Sequence, residues 1–273
     1  MDSHQALCSI FNRLTLWRNL PKYQLERRAD IFFSLYLQEI LEARLAPVTL
    51  LPDMIPEFPI KKSGEQHLTV NIDYVMFSSD LKTVCLVEFK TDMGSNRPEQ
   101  FEYLQEAKSR IETNGFGGIL KELVTVFEKT QDKAKYLHLF SILSKLGLIS
   151  QLASVQDKLY DATSAQGVTK LIGAIQITEA ANQMTSAEII FLQPRVFTAG
   201  EILRDGLEDV ICIPFSHESE FSVVNHLRRK DGALFAHQFA DYIELWSTEA
   251  GKQTPPRVAE SIMKPTAKYN CSE

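Results

Sequence analysis

Three ionisable residues sit inside two apolar stretches joined by a short polar loop, and no other feature restricts the fold of this chain as much. Asn71-Ile72-Asp73-Tyr74 lies in the first stretch and Val87-Glu88-Phe89-Lys90 in the second, with Glu88 fifteen positions after Asp73. From Leu68 to Phe77 the residues alternate. Leu68, Val70, Ile72, Tyr74 and Met76 take one face of a β-strand, and Thr69, Asn71, Asp73, Val75 and Phe77 take the other. From Thr83 to Lys90, Cys85, Val87 and Phe89 share one face while Val84, Leu86, Glu88 and Lys90 share the other, the pattern of a strand covered on both sides. Ser78-Ser79-Asp80-Leu81-Lys82 has the polarity and length of a hairpin loop, so the two strands are expected to be antiparallel neighbours.

Counting through that hairpin brings the charges together. A turn centred near Asp80 or Leu81 puts Asp73 and Glu88 opposite one another, with Cβ atoms about 4.5–5.5 Å apart, where like charges repel. Lys90 is two residues beyond Glu88, on the same face and about 6.5 Å along the strand. Ionised groups buried in a sheet cost several kcal/mol each unless paired or bound to a metal, so either chemistry or a structural ion pair must account for them. Mg²⁺, with Mn²⁺ as a substitute, suits such a site, because it takes oxygen ligands from one or two carboxylates and fills the rest with water and phosphate oxygens. A lysine beside it can hold an attacking water and offset the charge that develops on a phosphodiester.

An Asp, a hairpin, then Glu-x-Lys on the next strand resembles the PD-(D/E)xK nuclease superfamily, with Ile72-Asp73 and Glu88-Phe89-Lys90 at the matching positions over residues 25 to 112. Ile72 stands where the family's name has proline. The resemblance implies an α/β restriction-endonuclease-like fold with an αβββαβ core and a mixed central sheet flanked by helices. It also implies Mg²⁺-dependent hydrolysis of nucleic-acid phosphodiesters, Asp73, Glu88 and the Phe89 carbonyl as metal ligands, and Lys90 as the residue that orients water.

The flanking sequence is consistent with that core. Tyr23 to Leu45 reads as one long helix, with Leu25, Ala29, Phe32, Tyr36, Ile40 and Ala43 at helical spacing before Pro47. Members of the family often add a helix glutamate to the site; Glu39, on the edge of that stripe, is the candidate, with Glu26 and Glu42 less well placed. Glu57 to Lys62 reads as a first strand, demoted to a short or edge strand by Pro56 and Pro59. Downstream, Asn96-Arg97-Pro98-Glu99 combines a capping residue, a first-turn proline and a glutamate three after the cap, starting a helix that runs to about Asn114. Gln100 on that helix is a further site candidate, although its spacing of three to Tyr103 differs from the four found in some branches of the family.

Composition bounds the alternatives. The chain has 273 residues, 44% of them hydrophobic, enough for one large domain over 1–250 with a helical insertion around 115–165 and a loosely ordered tail from 251. The start lacks a basic region followed by an apolar stretch, and no run approaches the ~18 apolar residues of a membrane span, so a cytoplasmic location is expected. Cys8, Cys85, Cys212 and Cys271 are too scattered for a zinc site or a disulfide framework and are expected to be reduced. A net charge of −6 argues against indiscriminate nucleic-acid binding, which draws on Lys and Arg contacts to phosphates. Local basic residues remain in Lys61-Lys62, Lys82, Arg97, Lys108, Arg110 and Arg228-Arg229-Lys230.

In the second half, Gly115 to Gly118 breaks the chain and Ile119 to Leu148 reads as helices. Lys170 to Thr178, Ala187 to Leu192 and Val210 to Phe215 read as strands extending the sheet, and a helix from about Asp231 to Ser247 packs on it. Two functions follow: a metal-dependent nuclease, expected to act on DNA and to work as a homodimer if it cuts duplexes, or a silent member of the same fold that binds nucleic acid or a protein.

Overall fold

The computed structural model describes residues 3–18, 20, 24–62, 69–161, 164–216, 221–230 and 233–247; Leu68, Asp231 and the proposed tail lie outside them. The first elements are α1 (Ser3–Trp17), α2 (Glu26–Ser34), α3 (Leu37–Leu45), β1 (Ile55–Lys61), β2 (Thr69–Phe77), β3 (Thr83–Phe89) and α4 (Pro98–Asn114). There follow α5 (Phe116–Lys129), α6 (Lys133–Lys145), β4 (Ile149–Ser150), α7 (Leu152–Asp161), α8 (Ala165–Ile172), β5 (Gln176–Ile177) and α9 (Glu179–Gln183). The chain then continues through β6 (Ser186–Gln193), α10 (Ala199–Asp205), β7 (Val210–Pro214), α11 (Val223–Arg228) and α12 (Leu234–Ser247).

A mixed five-stranded sheet in the order β1-β2-β3-β6-β7 organises these elements, antiparallel from β1 to β3 and parallel from β3 to β7. The hairpin of β2 and β3 forms in the expected register, from Phe77 opposite Val84 to Tyr74 opposite Val87. Its loop closes on Ser78, whose Oγ accepts the amides of Lys82 and Thr83 and donates to Asp80 Oδ1 at 2.7 Å. The proline-bearing β1 lies at the sheet edge, where a missing amide costs no ladder bond.

Apolar layers cover both faces. Val75, Val84 and Leu86 pack with Leu104 and Ile111 of α4 and with the helices after it, whereas Met76, Cys85, Val87 and Phe89 pack with Phe33, Ile40, Phe239 and Trp246. The alternation of β2 is not maintained throughout. Ile72 joins the first layer and Tyr74 the second, and the pairing with β1 skips Asp73 and the facing Glu57. Glu57 has φ +50°, and a non-glycine residue there costs about 1–2 kcal/mol. That turn in the edge strand shifts the side-chain phase at Asp73.

Several expected elements are corrected. The long helix breaks between α2 and α3: Tyr36 leaves helical dihedrals at φ −123°, ψ −5°, and its ring stacks on Phe235 and Phe239. Phe33 and Leu37, not Phe32 and Tyr36, carry the buried stripe. The break at 115–118 resolves to Gly115 alone, at φ +70°, where a Cβ would lie 2.0 Å from the Asn182 carbonyl oxygen; Phe116 onward is helical. Lys170 to Thr178 is the end of α8 followed by the two residues of β5, which pair with β4 in a separate small sheet. Its apolar residues serve the helical spacing of Val168, Leu171 and Ile172, which pack into the layer under α5. Among the described residues no helix is long and apolar enough to cross a membrane.

Candidate active site

The charged half of β3 ends under α4. Glu88 and Lys90 continue the face of Val84 and Leu86 and are 1% and 3% exposed. The Lys90 amide donates to Leu192 O of β6 at 2.8 Å, which fixes the backbone just past the end of β3. Lys90 Nζ lies 2.9 Å from Glu88 Oε2, 3.4 Å from Glu26 Oε1, 3.6 Å from Asp73 Oδ2 and 3.2 Å from the Phe89 carbonyl oxygen. Three carboxylates thus converge on one ammonium.

Asp73 reaches this point because the hairpin register, continued one step past Tyr74 and Val87, sets it opposite Glu88. Its Oδ2 accepts the Phe89 amide at 2.8 Å, taking the place of a backbone rung. The remaining oxygen of Glu88, Oε1, accepts from Tyr103 Oη at 2.7 Å. Tyr103 stands one turn from Gln100 on α4, whose side chain is hydrogen-bonded to it. The sequence sets this tyrosine three residues after Gln100 and assigns it no role; the signal is its position on the helix that covers the Glu88 face.

Electrostatics follow from burial. Loss of water, and after it the neighbouring Asp73, pushes the Glu88 carboxyl up to about 8, with Lys90 and Tyr103 opposing. Burial pulls Lys90 down, but Glu88, Asp73 and Glu26 outweigh it and hold the ammonium above its ordinary value. Glu26 is raised by burial, with Lys90 opposing.

The structure therefore brings together Asp73, Glu88, Lys90 and the Phe89 carbonyl, and Gln100 lines the same cleft. Glu39 is placed elsewhere: it pairs with Lys230 and its side chain is 41% exposed. The helix glutamate in the cleft is Glu26, from the first turn of α2. Glu42 holds the Leu50 amide at 2.8 Å and serves the loop before β1. The expected cap Asn96 donates instead to Gln193, and Arg97 occupies the N-cap without a side-chain bond.

A cleft of about 360 Å³ opens over these groups. Its walls carry five carboxylates, from Glu26, Asp30, Glu57, Asp73 and Glu88, against two cations, Arg27 and Lys90. Among the described residues no group of three or more His, Cys, Asp or Glu could hold a metal ion as it stands, and Lys90 occupies the point where Glu26, Asp73 and Glu88 converge. The donor set is nevertheless all oxygen and carries excess negative charge, the chemistry a hard divalent cation requires. Several of the expected basic residues are committed to partners: Arg110 to Glu106 and Glu122, Arg228 to Asp241 and Glu244, and Lys230 to Glu39. Cys85 and Cys212 are free thiols, whereas Cys8 is disulfide-bonded, which its isolated position in the sequence did not indicate. No protein-family model, curated protein or solved structure matches the chain.

Proposed function

We propose that this chain is a divalent-metal-dependent nuclease of restriction-endonuclease-like architecture that hydrolyses phosphodiester bonds, with DNA as the expected substrate. The observation that carries the proposal is the convergence of Glu26, Asp73 and Glu88 on the buried Lys90 at the end of a hairpin strand. The order of α2–α3, three antiparallel strands, α4 and the parallel β6 supports the same architecture.

Asp73, Glu88 and the Phe89 carbonyl, with Glu26 beside them, would hold Mg²⁺ or Mn²⁺. When bound, such an ion polarises a phosphoryl oxygen and acidifies water. Lys90 keeps its proton at neutral pH, so its N–H groups can orient an attacking water and balance charge on the attacked phosphate. Tyr103 holds Glu88 in one rotamer by its hydrogen bond, and Asp73 ties its own carboxylate to the β3 backbone.

The test is cleavage of labelled DNA and RNA, single-stranded and duplex, with Mg²⁺, Mn²⁺ or EDTA. Asp73→Ala and Lys90→Ala should each lower the rate by about 10² or more. The competing function, a nuclease fold that binds without cutting, has an observation of its own: Lys90 already satisfies the carboxylate oxygens that a metal would use. Absence of cleavage on every substrate, together with no heat of Mg²⁺ or Mn²⁺ binding by calorimetry, would leave that function standing.

A further inference from the structure

The acidic cleft does not end at its own wall. A second cleft of about 410 Å³ adjoins it and shares Glu57, Thr69 and Asn71 of β1 and β2, with Asn71 Nδ2 donating to Glu57 Oε2 at 3.1 Å between them. Its far wall is of another character: Pro56, Pro59, Leu139, Ile142 and Tyr136, with Lys135 beside them. The two clefts are contiguous at these shared residues, with carboxylates on one side and an apolar compartment holding an aromatic ring on the other. Tyr136 is stacked on Phe127 with centroids 5.8 Å apart and planes at 16°, so one side of the ring is braced from within α5. Lys135 has 81% of its side chain exposed and pairs with Asp132 only at 3.6 Å, so it can turn towards a phosphate.

From this continuity we infer that the substrate is an unpaired nucleic-acid strand, with its scissile phosphate in the acidic cleft and a neighbouring base against Tyr136. The inference rests on the nuclease proposal and names its substrate class. A duplex presents phosphates outward and keeps its base faces stacked inside, so an apolar wall next to the cleavage point has nothing to receive from it. An unpaired strand presents both phosphates and π-faces, and base–aromatic stacking tolerates any sequence. The charge balance agrees, because gripping a duplex takes many free Lys and Arg contacts, and at a net charge of −6 with several arginines paired internally this chain is poorly supplied with them.

The experiment uses the full chain in two arms. In the first, fluorescence anisotropy follows binding of a labelled 12-nucleotide single strand, and of the duplex of the same sequence, to the Asp73→Ala protein with Mg²⁺ present. Single-strand binding tighter than duplex binding by about tenfold is expected, with a further Tyr136→Ala change weakening the single strand about tenfold and leaving the duplex unchanged. Lys135→Glu, on an exposed side chain that folding does not need, should weaken single-strand binding severalfold and lower its salt dependence. Equal affinity for the two forms, no binding of either, or indifference to both substitutions overturns the inference. In the second arm, hydrolysis of bis(p-nitrophenyl) phosphate, too small to reach Tyr136, reports on the acidic cleft alone. It should be present in the unaltered protein and lost in Asp73→Ala, so failure of the substrate inference is seen separately from failure of the nuclease proposal.

Discussion

The two faces of β3 start alike and end differently. On the side of α2 and α12, Cys85, Val87 and Phe89 stay apolar to the last residue, and Phe89 packs against Phe33 and Phe215 with centroids 4.1 and 5.7 Å away. On the side of α4, Val84 and Leu86 give way to Glu88 and Lys90, equally buried but ionisable. One face draws its stability from area removed from water. The other is held in place by that packing and adds little net stability of its own, since desolvation cancels much of what an ion pair gains. The lesson is a division of labour within seven residues: the apolar face fixes the strand so that the ionic face can be placed where it is unfavourable.

That comparison fails if the apolar face proves dispensable. Phe89→Ala should cost about 3–5 kcal/mol in urea unfolding, the largest single effect expected in the strand, because the ring lies among aromatic neighbours that close over its space only in part. The ionic face should respond to pH where the apolar face does not. Lys90→Ala leaves the Glu26, Asp73 and Glu88 carboxyl groups without their cation and should cost about 3 kcal/mol at pH 8, less at pH 5, where the raised Glu26 and Glu88 carboxyls take up protons. In the intact protein Glu88 holds its proton up to about pH 8, whereas the unfolded chain releases it near the ordinary value of 4.5. Its contribution is therefore complete below 4.5 and lost as pH rises through about 8, and Glu88→Gln should flatten that fall in an unfolding series from pH 4.5 to 8.5. The smallest effect separates two glutamates. Glu39→Ala, in an exposed pair with Lys230, should cost under about 1 kcal/mol and leave cleavage unchanged, whereas Glu26→Ala should lower cleavage at least tenfold.

The hairpin was legible in the sequence because its information is local. A period of two, a polar five-residue loop and two prolines at the edge suffice to pair β2 with β3 and to set Asp73 beside Glu88 and Lys90. Glu26 was not legible, because choosing it over Glu39 requires the break at Tyr36. No glycine or proline marks that break; stacking on Phe235 and Phe239, two hundred residues away in sequence, decides it. The end of α8 was misread for a related reason. Ile172 and Ile175 have strand-like composition, but what they pack against is a helical layer that no neighbouring residue announces. Tyr103 lay in plain view on α4, and only the sheet face beneath it gives the hydroxyl a partner.

The bond from the Phe89 amide to Asp73 also makes the site a gauge of strand alignment. A hairpin slipped by one residue would turn every side chain of β3 to the opposite face, present Phe89 to α4 and withdraw Glu88 from Tyr103. It would also strand the carboxylate of Asp73 without its amide. Misaligned chains are thus penalised twice at this point, once in the apolar layers and once in the polar rung. The residues with the least to offer the folded state by way of burial are among those that tell the correct hairpin from its nearest wrong neighbour.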